Sequence, residues 1–390
     1  MSAREEDLVL VLNAGSSSLK FALFENAAPP VRTVAGAIDR IGSGQASFTL
    51  KGPKPEQAEV RATNHVSGLE YLLERLSKTI GTSTFRAVGD RVVHGGARYR
   101  EPQRVDSAML TELRRISGFD PEHLPAEIAL METLAAKFPQ IPQIACFDTA
   151  FHSAMPHVAK LLPIPRRYQS KGVQRYGFHG LSYEYLMTQR RMNGRVILAH
   201  RGSGASLAAV RDGQPLDTSM AFTPAAGLPM STRSGDLDPG LVSYLAHTEQ
   251  MTAEQFHAMV NWQSGLLGVS ETSSDMRDLL ACEASDQRAA DAVALFCYQA
   301  KKWIGAFAAA LGGLDTLVFT GGIGENAPVI RARICDRLEF LGIELDQQQN
   351  AANAEVISAS ASGVAVRVIR TDEELMIAKT VCRFLKGEVP

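Results

Sequence analysis

The sequence has no charge excess of either sign. Its 390 residues carry 40 Lys and Arg against 42 Asp and Glu, a net charge of −2. A dedicated nucleic-acid binder should show a basic surplus, so that class is set aside. Anionic small substrates stay open, because a site needs only local positive charge. Cysteine is scarce and unpaired in pattern: Cys146, Cys282, Cys297, Cys335 and Cys382 form no C-x-x-C, which reads as buried thiols in a reducing compartment. No apolar stretch is long enough to span a bilayer. The acidic segment Met1–Asp7 before the short run Leu8–Leu12 does not read as a signal peptide. These absences lead us to expect a cytoplasmic protein with neither a membrane nor a nucleic-acid partner. Neither G-x-x-x-x-G-K-[ST] nor G-x-G-x-x-G occurs, so P-loop and dinucleotide fingerprints are excluded. The histidines show no H-E-x-x-H or other close ligand spacing, which argues against a histidine metal cluster.

Apolar residues make up 45% and charged residues 21%, an ordinary globular mix. At about 150 residues per domain, the length allows two to three domains. Runs rich in Val, Ile, Leu and Phe alternate with longer helical patterns, so the class is α/β. Leu8–Leu12 is a strand, Asn13–Ser17 has turn chemistry, and Leu19, Phe21 and Leu23 alternate as a second strand. The pattern returns near mid-chain: strand Val196–Ala199, turn His200–Gly204, strand Ala205–Val210. Two halves of related build are expected. A helix over Ala126–Phe138 follows a loop at Gly118–Pro125, and strand Ile144–Phe147 runs into Asp148. Strand Leu314–Thr320 ends in Gly321–Asn326, with a helix expected from Ala327, Asn326 as its N-cap and Pro328 in its first turn. Strand Val364–Ile369, a loop at Thr371-Asp372 and a helix over Glu373–Leu385 close the chain. Glycine turns let backbone N–H groups approach phosphate, and a helix N-terminus favours anions. Each loop alone is an ordinary turn; together they point to bound nucleotide phosphates.

Here the sequence resembles a known family. Asn13-Ala14-Gly15-Ser16-Ser17-Ser18-Leu19-Lys20 is similar to the N-terminal signature of acetate kinases, and Arg175-Tyr176-Gly177-Phe178-His179-Gly180 to their second signature. Arg91–Gly96, Phe147–His152, Asp217–Gly240, Phe319–Asn326 and Thr371–Leu375 agree in family order. The resemblance implies the two-domain acetate and sugar kinase/actin-like fold, with duplicated ribonuclease H-like domains, a deep cleft and a homodimer. It implies an N-terminal domain of residues 1–150 plus 375–390 and a nucleotide-binding domain of residues 151–374. The implied reaction is reversible phosphorylation of acetate by ATP, with propionate or another short-chain carboxylate as the alternative.

A carboxylate is ionised at neutral pH and needs no general base. The difficulty is bringing it to a polyanionic phosphate, so such a site needs cations and rigid donors. By resemblance Arg91, Asp148, His179 and Arg233 are catalytic. Arg91 and Arg233 suit carboxylate and phosphoryl oxygens. His179 would stabilise the transferring group, and Asp148 would orient Arg91 or a metal-bound water. Arg91, Val93, Phe178, Pro224 and Lys20 would bind the acid. Lys20, His200, Arg201, Gly202, Ser203 and Gly204 would meet the nucleotide phosphates. Asp275, Met276 and Arg277, with Gly322, Ile323, Gly324, Glu325 and Asn326, would meet the nucleoside end. Asn13 and Glu373 match Mg²⁺ positions, which Mn²⁺ could also fill.

Three departures stand out. His200-Arg201-Gly202-Ser203-Gly204 replaces the usual His-Leu-Gly-Asn-Gly, so Arg201 is expected to add charge at the turn. Glu122 stands where an apolar pocket residue is usual, and Asp90 stands where His is usual, with an ion pair to Arg91 expected. A switch-type ATPase of related fold and a binding-only protein are the competing classes. The pairing of Arg91 and Arg233 with His179 favours the kinase, because a switch ATPase needs no carboxylate clamp.

Overall fold

Val9 and Val11 face one side of their strand and Leu10 and Leu12 the other, and both sides are covered. An uninterrupted apolar run is what a strand buried on both faces requires. The computed structural model describes residues 7–80, 85–189 and 192–388. Met1–Glu6, where the absence of a signal peptide was read, lie outside the described residues.

The chain divides into two compact units. The first comprises Met1–Phe151, Gly180–Tyr185 and Asp372–Pro390, the second His152–His179 and Leu186–Thr371. The expected boundaries lay at residues 150 and 375, and the segment Gly180–Tyr185 was not expected in the first unit.

In the first unit β1 (Leu8–Ala14), β2 (Ser18–Glu25), β3 (Val31–Asp39), β4 (Ala46–Lys51) and β5 (Glu56–Val60) form an antiparallel meander. Beyond β1 lie β6 (Ala87–Val92), the short β7 (Gln103–Arg104) and β8 (Gln143–Phe147), in the sheet order β5-β4-β3-β2-β1-β6-β8-β7. Strands β6 and β8 run parallel to β1. Helices His65–Ile80 and Leu124–Lys137 cover one face through Leu69, Leu72, Leu76, Leu130 and Leu134. The closing helix Glu373–Leu385 covers the other through Met376, Ile377 and Val381. It lies so close that a Cβ on Gly89 would come within 2.5 Å of Ile377. Asp372 caps this helix, accepting from the Leu375 N–H at 2.9 Å, which holds Glu373 at its first turn.

In the second unit β9 (Arg195–Arg201), β10 (Ala205–Arg211) and β11 (Gln214–Thr218) are antiparallel, and β12 (Thr316–Thr320) and β13 (Ala365–Val368) extend the sheet in parallel. The order β11-β10-β9-β12-β13 repeats β3-β2-β1-β6-β8 of the first unit. The duplicated hairpins read from the sequence are therefore the same corner of two like sheets. Helix Gln287–Leu311 packs on β9 and β10. Its buried Ala289, Ala292, Phe296, Ala300, Ile304, Phe307 and Leu311 recur every three or four residues.

One local expectation fails. Gly321–Asn326 is itself a short helix, and the next helix, Pro328–Cys335, starts after Ala327. Asn326 is not its N-cap; its side-chain amide donates back to the Gly322 carbonyl at 2.9 Å.

Candidate active site

Parallel strands deliver their chemistry at their carboxyl ends. In the first unit those ends carry Asn13 on β1, Arg91 on β6 and Asp148 just after β8. Arg91 donates to Asp148 Oδ2 through Nη2 at 2.5 Å and Nε at 3.1 Å, and to the Ala14 carbonyl through Nη1 at 3.1 Å. Burial works against the Arg91 charge, but Asp148, Glu373 and Glu127 outweigh it and raise its pKa above the ordinary value. Burial raises the Asp148 pKa, a shift that Arg91 opposes and Glu373 reinforces. The Asn13 amide nitrogen donates to Glu373 Oε2 and to Glu374 Oε1, each at 3.1 Å. Lys20 is exposed on β2, in register with Asn13.

Val93 is buried, and its N–H donates to both Glu127 oxygens at 3.1 Å. Glu127 escaped the sequence reading although a signal was present. It lies three residues after Leu124 and four before Met131, on the apolar stripe of its helix, where a carboxylate needs a reason. Burial pushes its pKa well above the usual range, Arg91 opposing. The expected Asp90–Arg91 ion pair is absent. Consecutive strand residues face opposite sides of a sheet, and Arg91 turns to Asp148. Asp90 is 4% exposed, its Oδ2 has no hydrogen-bond partner, and burial raises its pKa to about 7.

In the second unit the sites gather around β9 and β10. His200 and Ser206 are cross-strand partners, so their side chains share a face. The His179 ring stacks on His200 at 4.2 Å between centroids, and its Nδ1 lies 2.8 Å from Ser206 Oγ. His179 has φ of 59°, a conformation that non-glycine residues rarely hold without surrounding constraint. A Cβ placed on Gly204 would meet His179 Nε2 at 3.2 Å and Arg233 Nη1 at 3.9 Å. His179, Arg233 and the Gly202–Gly204 turn therefore converge. The Gly202 N–H bonds the Gly204 carbonyl at 2.9 Å, and the Ser203 carbonyl accepts from the Ser231 N–H at 3.1 Å. A Cβ on Gly202 would lie 3.9 Å from the Gly322 nitrogen, so both glycine segments are neighbours. Phe178 is buried and Pro224 half-buried.

Several side chains read as nucleotide contacts have other work. Arg201 is fully buried, its guanidinium 3.7 Å above the Phe296 ring, so it does not add exposed charge to the turn. Asp275 caps helix Met276–Cys282, accepting from the Arg277 N–H at 2.8 Å, and pairs with the Arg277 guanidinium at 2.5 Å. Met276 is buried. Glu325 accepts from the N–H groups of Gly321 at 2.9 Å and Thr371 at 3.1 Å, and Ile323 is half-buried in the same short helix. Arg331, also missed in the sequence, is fully buried and donates to the Gly324 carbonyl at 2.8 Å and the Glu325 carbonyl at 3.1 Å. Burial lowers its pKa to about 10. No simple sequence signal marks it, because its partners Asn350 and Asn353 lie a helix away.

Residues 8–379 match the model of the acetokinase family. The chain belongs to the acetokinase family. An acetate kinase of Rhodopseudomonas palustris is 43% identical, over 98% of this chain and 99% of that protein. The crystal structure of Porphyromonas gingivalis acetate kinase superimposes with a TM-score of 0.87 at 36% identity, covering 97% and 100% of the two chains. A propionate kinase from Francisella tularensis gives a TM-score of 0.90 at 35% identity, covering 96% and 98%. The fold is the acetate and sugar kinase/actin-like one, and the two like sheets are its duplicated halves. As an acetokinase the protein is a phosphotransferase, of a family whose substrate is ATP. The switch-ATPase alternative falls with this membership. Among the described residues no helix is long and apolar enough to cross a membrane.

Proposed function

We propose that the chain phosphorylates acetate with ATP, reversibly, by direct in-line transfer to the carboxylate oxygen. The observation that carries this reading is the set at the carboxyl ends of β1, β6 and β8: Arg91 fixed by Asp148, beside Asn13 and Glu373. Arg91 holds the acceptor carboxylate or an equatorial phosphoryl oxygen. Asp148 sets the plane of its guanidinium and is a positioning group, because the ionised acid has no proton to give up. His179, oriented by Ser206 and His200, and Arg233 meet charge that develops on the transferring phosphoryl. The Gly202–Gly204 turn and Gly322–Asn326 take the nucleotide through their backbone.

The donor set fits Mg²⁺, with Mn²⁺ as a substitute. Asn13 uses its amide nitrogen, not its oxygen, on Glu373 and Glu374, and the oxygen is the atom that Mg²⁺ would take. Asp148 and Glu373 both bear on Arg91, a neighbourhood in which a further cation is favourable. Mg²⁺ keeps several waters and takes few protein oxygens, and Asn13 with Glu373 suffice. When bound it neutralises phosphate charge.

A cytoplasmic homodimer is part of this reading. Helix Gly240–Thr248 buries none of its residues, yet Val242 and Tyr244 are 48% and 62% exposed, as a subunit contact would leave them in one chain. The reverse reaction tests the function. Acetyl phosphate and MgADP should yield ATP, and a chelator should abolish the yield. No ATP under these conditions would remove the assignment.

A further inference from the structure

Arg201 sits where three parts of the second unit meet. It ends β9 and opens the Gly202–Gly204 turn. Its backbone is pressed against Gly321: a Cβ there would lie 2.9 Å from the Arg201 carbonyl group, and Gly321 has φ of 76°. Gly324 approaches from the same side, its Cβ position 3.5 Å from Arg201 Cβ. The side chain reaches helix Gln287–Leu311. Its guanidinium carbon is 3.7 Å from the centroid of Phe296, and Nη2 donates to the Phe296 carbonyl at 3.3 Å. Phe296 lies mid-way along the buried face of helix Gln287–Leu311. One residue thus ties that helix to both glycine segments.

We propose that Arg201 is a positioning residue for nucleotide, clamping the Gly202–Gly204 and Gly321–Gly324 backbones to helix Gln287–Leu311 through Phe296 without touching phosphate. This rests on the reading of those segments as the nucleotide contacts. The physical basis is rigidity. Backbone donors serve an anion only when fixed in place, and glycine turns have little stiffness of their own. A desolvated cation over an aromatic face supplies it, since such pairs are stronger than exposed ones.

The test is calorimetric titration of MgADP into wild type, Arg201→Met, Arg201→Lys, Phe296→Leu and the Arg201→Met/Phe296→Leu double variant, with thermal midpoints recorded alongside. Arg201→Met and Phe296→Leu should each weaken MgADP by about tenfold. The double variant should be no weaker than about the worse single one, because both remove one clamp. Arg201→Lys should recover part of the loss, and the KM for acetate should not change in any of them. Wild-type MgADP affinity in folded Arg201→Met, fully additive losses, or an equal rise in acetate KM would each overturn the proposal. If Arg201→Met does not fold, Arg201→Lys and Phe296→Leu carry the same comparison. Wild type that binds MgADP but does not phosphorylate acetate would sink the acetate assignment and leave the clamp testable. Wild type that does not bind MgADP overturns the clamp itself.

Discussion

Arg91 and Asp148 are joined by two hydrogen bonds to one oxygen, Nη2 at 2.5 Å and Nε at 3.1 Å, with the Asp148 side chain wholly buried. The carboxylate fixes where the guanidinium points, and the partly exposed cation is the end left for substrate. Arg91→Ala should lower kcat by about 10²–10³, the cost of losing one preorganised donor. Asp148→Asn should lower it by a similar factor, and the double variant should fall little further, since the two act as a unit. Full additivity in the rate of acyl phosphate formation would separate them.

Asp90 gives a pH signature in stability. Burial raises its pKa in the folded state to about 7, against 3.8 for a free side chain. Below 3.8 both states hold the proton and nothing is lost. Between 3.8 and 7 the unfolded chain releases it while the folded chain keeps it, so stability falls as pH rises. Above 7 both are ionised and the loss stays constant. Asp90→Asn should therefore be about as stable as wild type at low pH and more stable by roughly 1–3 kcal/mol at pH 8. Urea midpoints across this range measure the gap; a gap that stays flat between pH 4.5 and 7 contradicts the account.

Ser206 holds the His179 ring from its Nδ1 side at 2.8 Å. Ser206→Ala should reduce kcat about tenfold, the worth of a buried hydrogen bond, with the KM for ATP unchanged. It should also alter the pH dependence of kcat, because the bond helps decide which ring nitrogen bears the proton. An unchanged pH profile would mean that His179 is held by other contacts.

The sequence was most legible where local chemistry decides the structure. The hairpin tips at Gly15 and Gly202 declare themselves by turn residues between alternating strands. The closing helix is bounded by Asp372, whose side chain caps it. Legibility failed where a side chain answers to distant partners. Arg201 looked like a surface cation beside a glycine turn, and only the approach of Phe296 from helix Gln287–Leu311 turns it inward. Asp90 adjoins Arg91 in sequence but faces the opposite side of β6. Asn326 has N-cap chemistry, yet Gly321–Asn326 already forms a helical turn, and its amide closes that turn instead. Glu127 was the readable omission, because its place on an apolar stripe is visible in the spacing alone.

On the proposed function the acceptor is acetate and the product is acetyl phosphate. Incubation with ATP, Mg²⁺ and acetate or propionate, trapping acyl phosphate with hydroxylamine, tests it most directly. Acetohydroxamate is expected, with kcat/KM for acetate above that for propionate and loss of product in Arg91→Ala. Higher kcat/KM for propionate would move the assignment to the alternative acid, and no hydroxamate from any short carboxylate would contradict it outright.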